Sequence, residues 1–280
     1  MLSVMLAFLG VSIAWHDGIF HPGYALLAFL GLLLAHISVN VLNDYFDYKS
    51  GLDLKTQRTP FSGGSGVLPA SLLTPKQVFW LGTGSLMLAI PIGIYFVIVK
   101  GWLLLPLLLI SAVCILIYTP LILKTRWPEW AAGLGLGTLP VLGTYFAQAG
   151  HYPWHVVVAS VPSGILVSNL LLLNEFPDAE ADSEVGRKTT PVVAGKSNAG
   201  IVYSILTLLV YLWIIGIAFM EKKPILLIGL LTLPFAIKAV RGALRYQDAA
   251  KLMPAMASNV MVVLLTQLFL GIGYVLAGVL

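Results

Sequence analysis

Charge is scarce in this chain: only 10% of its 280 residues are Asp, Glu, Lys or Arg, against 59% hydrophobic, and the mean hydropathy is +0.93. A soluble domain carries about 25% charged residues, so this composition excludes a water-soluble globule and points to a chain threaded through a bilayer. Cysteine is nearly absent. The single Cys114, inside the apolar run from Leu103 to Tyr118, has no partner for an intrachain disulfide and reads as a small buried side chain. The five histidines, His16, His21, His36, His151 and His155, lack zinc-type spacing. Neither residue type supports redox or zinc chemistry. No long polar stretch remains for a separate soluble domain. The opening MLSVMLAFLGVSIAW has no basic lead and no small-residue cleavage site, and reads as a first transmembrane helix rather than a removable signal.

What the chain does have is apolar runs punctuated by Gly, Pro and charge. These predict helices over 1–15, 22–46, 76–99, 101–122, 129–149, 153–177, 198–219, 224–244 and 252–278. At about 20 residues each they are long enough to span. The expected fold is all-α, a polytopic membrane bundle of about nine transmembrane helices in one domain over residues 1–280. Connections near 16–21, 100, 150–153 and 220–224 are short, and among Lys and Arg they hold only Lys100, Lys222 and Lys223. The longer connections 47–75, 123–128, 178–197 and 242–252, with the adjoining helix ends, hold all the other basic residues. The positive-inside rule then places the longer connections and the N-terminus in the cytoplasm and the C-terminus outside, in the cell inner membrane. The pI of about 9.1 reflects this topology and does not point to nucleic acid.

Against this background two acidic clusters stand out. In the first, Asn40, Asp44 and Asp47 recur at i, i+4 and i+7; in the second, Asn174, Asp178 and Asp182 recur at i, i+4 and i+8. Each set lies on one face of a helix. Both fall at the cytoplasmic ends of outward-in helices, the second and the sixth, on one side of the membrane. Carboxylates at a bilayer edge are expensive and imply a cation to be bound. Mg²⁺ takes hard oxygen ligands, one or two carboxylates plus phosphate oxygens and water. Asp44, Asp47, Asp178 and Asp182 are therefore candidate Mg²⁺ ligands, and a diphosphate is the candidate anion. Arg187 and Lys188 after the second cluster, and Lys49, Lys55 and Arg58 after the first, are candidates for neutralising the remaining diphosphate oxygens. Topology alone also accounts for cations in these places.

The pair N40xxxD44xxD47 and NEFPDxxxDxxxGRKT, starting at Asn174, resembles the UbiA-type intramembrane prenyltransferase superfamily, and the likeness covers nearly the whole chain. Asp53 after NDYFDYKSG, the loop GGSGVL at 63–68, YTP at 118–120 and GTLPVLGTYFAQAG at 137–150 are similar to the branch that prenylates 1,4-dihydroxy-2-naphthoate. The resemblance implies an enzyme that binds a polyprenyl diphosphate through Mg²⁺ held by the four aspartates, with Asn40 and Asn174 beside them. The allylic carbon becomes cation-like and is attacked by an electron-rich aromatic ring, and Tyr118 shields the cation with its π face. Members of the hydroxybenzoate branch place a Lys or Arg close after the fourth-helix tyrosine; here Lys124 follows Tyr118 by six residues and is carried over as a substrate-binding residue. The partners implied are the prenyl diphosphate, the aromatic acceptor and the lipid bilayer, with no obligate protein partner. One departure is the missing arginine-proline pair that many members carry entering the first helix.

G133LGLG137T looks like a dinucleotide fingerprint but sits in an apolar helix with no strand before it, so close helix packing is the better account. G63GSG66 reads equally as a cytoplasmic lid and as a plain turn. His36 is one turn before Asn40, either lining a cavity or hydrogen-bonded in the interior. Glu175 and Glu180 fall off the arc of the aspartates and are expected to meet solvent or a loop cation. Asp53 reads as a metal or acceptor ligand or as a turn residue. A cation-coupled transporter is the competing class, disfavoured because the acids lie at helix ends rather than on broken helices at the midplane. The DGxxAR pattern of CDP-alcohol phosphotransferases is absent. Homogentisate, hydroxybenzoate, a chlorophyllide and a glycerol phosphate lipid remain alternative acceptors.

Overall fold

Proline and glycine set many of the helix limits. In the computed structural model, which describes residues 1–56, 58–246 and 248–280, helix α1 is Leu2–His16 and α2 is Pro22–Ser50. Pro22 opens α2 at a position whose amide has no helical partner, and Gly51 closes it at φ 80°. Helix α3, Pro75–Lys100, starts from a capping box in which Thr74 and Gln77 satisfy each other's amides. Helix α4 is Leu105–Ile117, preceded by a 3₁₀ turn at Trp102–Leu104. Then come α5, Glu129–Gly133, a wide π turn at Leu134–Thr138, and α6, Leu139–Ala149. Helix α7 is Trp154–Glu184, α8 Thr190–Ala194 and α9 Lys196–Met220. A 3₁₀ stretch at Pro224–Thr232 leads into α10, Leu233–Leu244, and α11, Ala249–Ala277, ends the fold.

The chain is all-helical, with no strand among the described residues. Helix occupies each of the nine intervals expected from the sequence, but among the described residues six helices are long and apolar enough to cross a membrane: Pro22–Ser50, Pro75–Lys100, Trp154–Glu184, Lys196–Met220, Pro224–Leu244 and Ala250–Ala277. Leu2–His16 and Trp102–Ile117 are shorter apolar helices. The stretch expected as one helix over 129–149 is interrupted by the π turn. Both motif helices run past their expected ends, so Asn40, Asp44, Asp47, Asn174, Asp178 and Asp182 are all helical. Pro177 is the reason α7 looked shorter: it removes the bond to the Leu173 carbonyl. The packing of Leu172, Leu173 and Phe176 against Tyr203 of α9 and Met256 of α11 holds the helix through that gap.

The main core joins Leu6, Leu9 and Ile13 of α1 to Tyr145 of α6, Ile214 of α9 and Tyr274 of α11. Polar bonds between helices supplement it, as expected where lipid offers no hydrophobic contrast. Asn169 of α7 donates to the Thr207 hydroxyl at 3.0 Å, and Tyr203 donates to Asn259 of α11 at 3.0 Å. Ile98, Leu109 and Leu208 stay exposed, consistent with a lipid surround.

The glycines of GLGLG serve contact, as expected. A Cβ on Gly137 would stand 2.8 Å from the Gly164 Cα of α7. Gly137→Val should therefore cost about 1–3 kcal/mol through overpacking, read as a lowered melting temperature in detergent. Gly84→Ala, where nothing lies within 4 Å, should leave it unchanged.

Candidate active site

The two acidic motifs meet. The Arg187 guanidinium donates to Asp182 Oδ1 of α7 at 3.1 Å and also to Asp47 Oδ1 of α2, so one side chain touches both motifs. All three side chains are largely buried. Burial alone would lower the Arg187 pKa, but Asp47 and Asp182 outweigh it and hold it above the ordinary value, so the cation persists. The backbone around it is clamped: Arg187 N donates to the Asp182 carbonyl at 3.0 Å, Lys188 N to the Leu123 carbonyl at 2.9 Å, and Thr190 N to Glu129 Oε1 at 2.6 Å.

The 58–66 loop closes over the same place. Ser65 N donates to Asp44 Oδ1 at 3.3 Å, and the Gly63 amide reaches Asp178. Gly63, Gly64 and Gly66 adopt φ of 84°, 68° and 71°, which only glycine takes without strain. A Cβ on Gly64 would stand 3.1 Å from Asp53 Oδ1. Of the two readings of GGSG, lid and turn, the contacts to both motifs favour the lid. Arg58 is spent on holding that loop, donating to the Ser65 carbonyl.

Beneath the loop lies a cavity of about 1110 Å³. Asn40, Asp47, Asn174, Asp178, Asp182 and Arg187 line its polar end, and Tyr118 is buried at its wall. Its other end is apolar, with Ile94, Val97, Leu104, Leu108 and Gly143. Ile90 and Ile94 of α3 and Leu105 and Leu109 of α4 line the cavity yet are exposed, so it opens sideways between these helices toward lipid. A second pocket of about 230 Å³ is lined by Lys49, Lys124, Asp47 and Arg187.

Not every expected residue faces the cavity. Asp44 is turned to the loop and does not line it. Asn40 lines it but donates to its own helix at His36 O, 2.8 Å away. Lys188 is exposed and is held through its backbone. Lys55 pairs with Glu184 at 2.6 Å on the surface. Among the described residues, no three Asp, Glu, His or Cys side chains form a ready-made metal cage. The donor set still fits Mg²⁺, which shares its shell with substrate phosphate and water. Asn174 Oδ1 and Asp178 Oδ1 are buried without a hydrogen-bond partner, oxygens that a hard cation would satisfy.

A family model for the UbiA prenyltransferase family matches residues 3–278. The chain belongs to that family. A 1,4-dihydroxy-2-naphthoate octaprenyltransferase of Bacillus subtilis (strain 168) is 28% identical over 248 residues, covering 86% of this chain and 78% of the relative. The solved UbiA homolog from Aeropyrum pernix K1 superposes with a TM-score of 0.76 at 16% identity, covering 98% of this chain and 97% of that one. A UbiA homolog from Archaeoglobus fulgidus bound to DMAPP and Mg²⁺ gives 0.64 at 14% identity, covering 98% and 96%. At such identities the structures attest the fold. As a member of the UbiA family the chain is a prenyltransferase and an integral membrane protein.

Some site residues of this UbiA member escaped the sequence reading. Asn43 lines the cavity and donates to Thr119 Oγ1 at 3.0 Å. Its spacing to Asp47, i and i+4, was a signal available in the sequence. Glu175, expected to meet solvent or a loop cation, is instead buried at the cavity wall, because α7 packs on several sides at this level. Glu180 does pair with a loop cation, Lys196, at 2.6 Å. His36 is both buried, its Nδ1 2.5 Å from Ser3 Oγ, and cavity-lining.

Asp53 is buried and lines the cavity, not a surface turn. Burial, with Asp44 next, raises its pKa to about 6. The fold thus keeps the proton that the unfolded chain gives up near pH 4. Stability from this group should fall as pH rises from about 4 to about 6 and then level off. Melting curves of the metal-free protein should show this fall, and Asp53→Asn should remove it.

Proposed function

We propose that this protein transfers a polyprenyl group from polyprenyl diphosphate to 1,4-dihydroxy-2-naphthoate, with Mg²⁺, releasing diphosphate and CO₂ and giving demethylmenaquinone in its reduced, quinol form. The observation that carries this reading is Arg187 joined to both Asp47 and Asp182 at the polar end of a cavity whose other end is apolar and opens to lipid. Such a cavity matches a substrate with a dianionic head and a hydrocarbon tail. The Bacillus subtilis relative supports the acceptor, and the DMAPP and Mg²⁺ of the Archaeoglobus fulgidus homolog support the donor and the cation.

Asp47, Asp178, Asp182 and Asn174 would hold Mg²⁺ at the cavity mouth, with Asp44 joining when the 58–66 loop shifts. Bound there with diphosphate, Mg²⁺ supplies the Lewis-acid charge that lets the diphosphate leave. Arg187, placed between both motifs, would pair with the diphosphate oxygens that Mg²⁺ does not hold. The C–O bond to the allylic carbon breaks, the diphosphate keeps the electron pair, a ring carbon of the acceptor forms the new C–C bond, and the ring recovers its aromaticity by releasing its carboxylate as CO₂. Leu108, Val97 and Ile94 hold the tail among apolar groups, and the loop at 58–66 keeps water from the cationic carbon. Tyr118 presents an aromatic ring beside it. Lys124 and Lys49, on the 230 Å³ pocket, attract the acceptor carboxylate.

Nine membrane crossings, with motif ends and N-terminus in the cytoplasm and C-terminus outside, complete the proposal; basic residues near Lys124, Lys188 and Arg241 support that orientation. Purified protein incubated with geranylgeranyl or longer diphosphates and a panel of acceptors tests it, with products read by mass spectrometry. Prenylated naphthoate is the expected product. Transfer to homogentisate, hydroxybenzoate or glycerol phosphate in its stead overturns the acceptor assignment.

A further inference from the structure

Buried polar side chains in a membrane protein are costly unless bonded, so an unbonded one facing a cavity marks a place for a ligand. Glu175 of α7 is 5% exposed and lines the large cavity, and no N–H or hydroxyl of the protein donates to either of its carboxyl oxygens. Tyr118, at the end of α4, is 9% exposed on the same wall, and its hydroxyl is also unpartnered. Glu175 is the charge that acts most strongly on Tyr118, so the two groups are neighbours. The Glu129 carboxyl lies alongside but is committed through Oε1 to the Thr190 amide. Glu129 also lies within hydrogen-bonding reach of the Glu175 carboxyl, and no N–H or hydroxyl of the protein donates to either Glu175 oxygen. The neighbouring cation Arg187 is engaged with Asp47 and Asp182.

We infer that Glu175 and Tyr118 form the binding site for a hydroxyl of the aromatic acceptor. The inference rests on the prenyl-transfer reading above and specifies it: the acceptor is a phenol or hydroquinone. One phenolic hydroxyl satisfies both orphans at once, since its O–H donates to the Glu175 carboxylate while its oxygen accepts from the Tyr118 O–H. The same bond pushes electron density toward the ring that must attack. Glu175 stands one residue after Asn174 and three before Asp178, so the hydroxyl it holds lies next to the place where the diphosphate departs. A glycerol phosphate or any acceptor without an acidic hydroxyl leaves both groups unsatisfied.

The test compares wild type with Glu175→Gln and Glu175→Leu. Acceptor KM for 1,4-dihydroxy-2-naphthoate should rise roughly 10- to 100-fold in Glu175→Leu, less in Glu175→Gln, which keeps one acceptor oxygen. The KM for geranylgeranyl diphosphate should stay within about twofold. Removing a buried carboxyl to which no N–H or hydroxyl donates should also raise the melting temperature of ligand-free Glu175→Leu, a change opposite to that of a merely structural residue. An acceptor KM that does not move, or a diphosphate KM that rises in step with it, overturns the role of Glu175. Direct binding of 1,4-dihydroxy-2-naphthoate to each protein separates the two levels. Wild type that binds it but transfers no prenyl group sinks the proposed reaction alone, whereas equal affinity in wild type and Glu175→Leu sinks the hydroxyl site.

Discussion

Asp47→Asn and Asp182→Asn should each cut prenyl transfer by about 10²- to 10³-fold or more while leaving the protein folded. Each substitution keeps the side chain's volume and one carbonyl oxygen but removes the negative charge that would attract a divalent cation. Both residues line the cavity and share Arg187, so their loss acts on the reacting centre itself. Asp44→Asn should be milder, because that carboxylate receives the Ser65 amide and faces the loop. Turnover with geranylgeranyl diphosphate at saturating Mg²⁺, beside size-exclusion profiles, gives the ranking, and EDTA should silence the wild type. Undiminished transfer in EDTA, or by a double variant lacking both Asp47 and Asp182, removes the metal-diphosphate reading.

Arg187→Gln carries the second large effect. Breaking a buried ion pair by removing one partner costs about 3–5 kcal/mol, since the other charge is left uncompensated; here Asp47 and Asp182 are both left, at 9% and 2% side-chain exposure. The variant should melt well below wild type without divalent cation and recover much of the difference when Mg²⁺ is added, because the metal then supplies the missing positive charge. Turnover at saturating Mg²⁺ should fall about 100-fold from the lost diphosphate contact. Arg187→Lys, a point charge without the planar fork, should lie between. A melting temperature for Arg187→Gln that ignores Mg²⁺ shows that the metal does not take the place of the guanidinium.

How much of this was legible depended on whether the signal was local. The apolar runs announced helix in all nine places, and helical spacing singled out Asp47, Asn174, Asp178 and Asp182, which line the cavity. Pro177 misled the reading of α7, since a proline inside a helix looks from sequence like its end, and only packing against α9 and α11 carries the helix on. Arg58 looked like a diphosphate ligand by its charge, whereas its bond to Ser65 makes it a loop clasp. Glu175 was misplaced because its angle was judged from the aspartates alone. The cavity at that level extends beyond their arc, up to Tyr118 of α4.

The sequence by itself determined that this chain lives in a membrane, that it is helical, and that two sets of acids recur on single helix faces. Those properties follow from composition and from a period of 3.6 residues, which neighbouring positions fix among themselves. Only the tertiary structure decided that the two faces meet at Arg187, that Asn43 and Asp53 join them while Asp44 turns to the loop, and that Glu175 and Tyr118 share a wall. The meeting of side chains from α2, α4 and α7 depends on which residues pack between helices far apart in the chain, and no spacing within one helix encodes that.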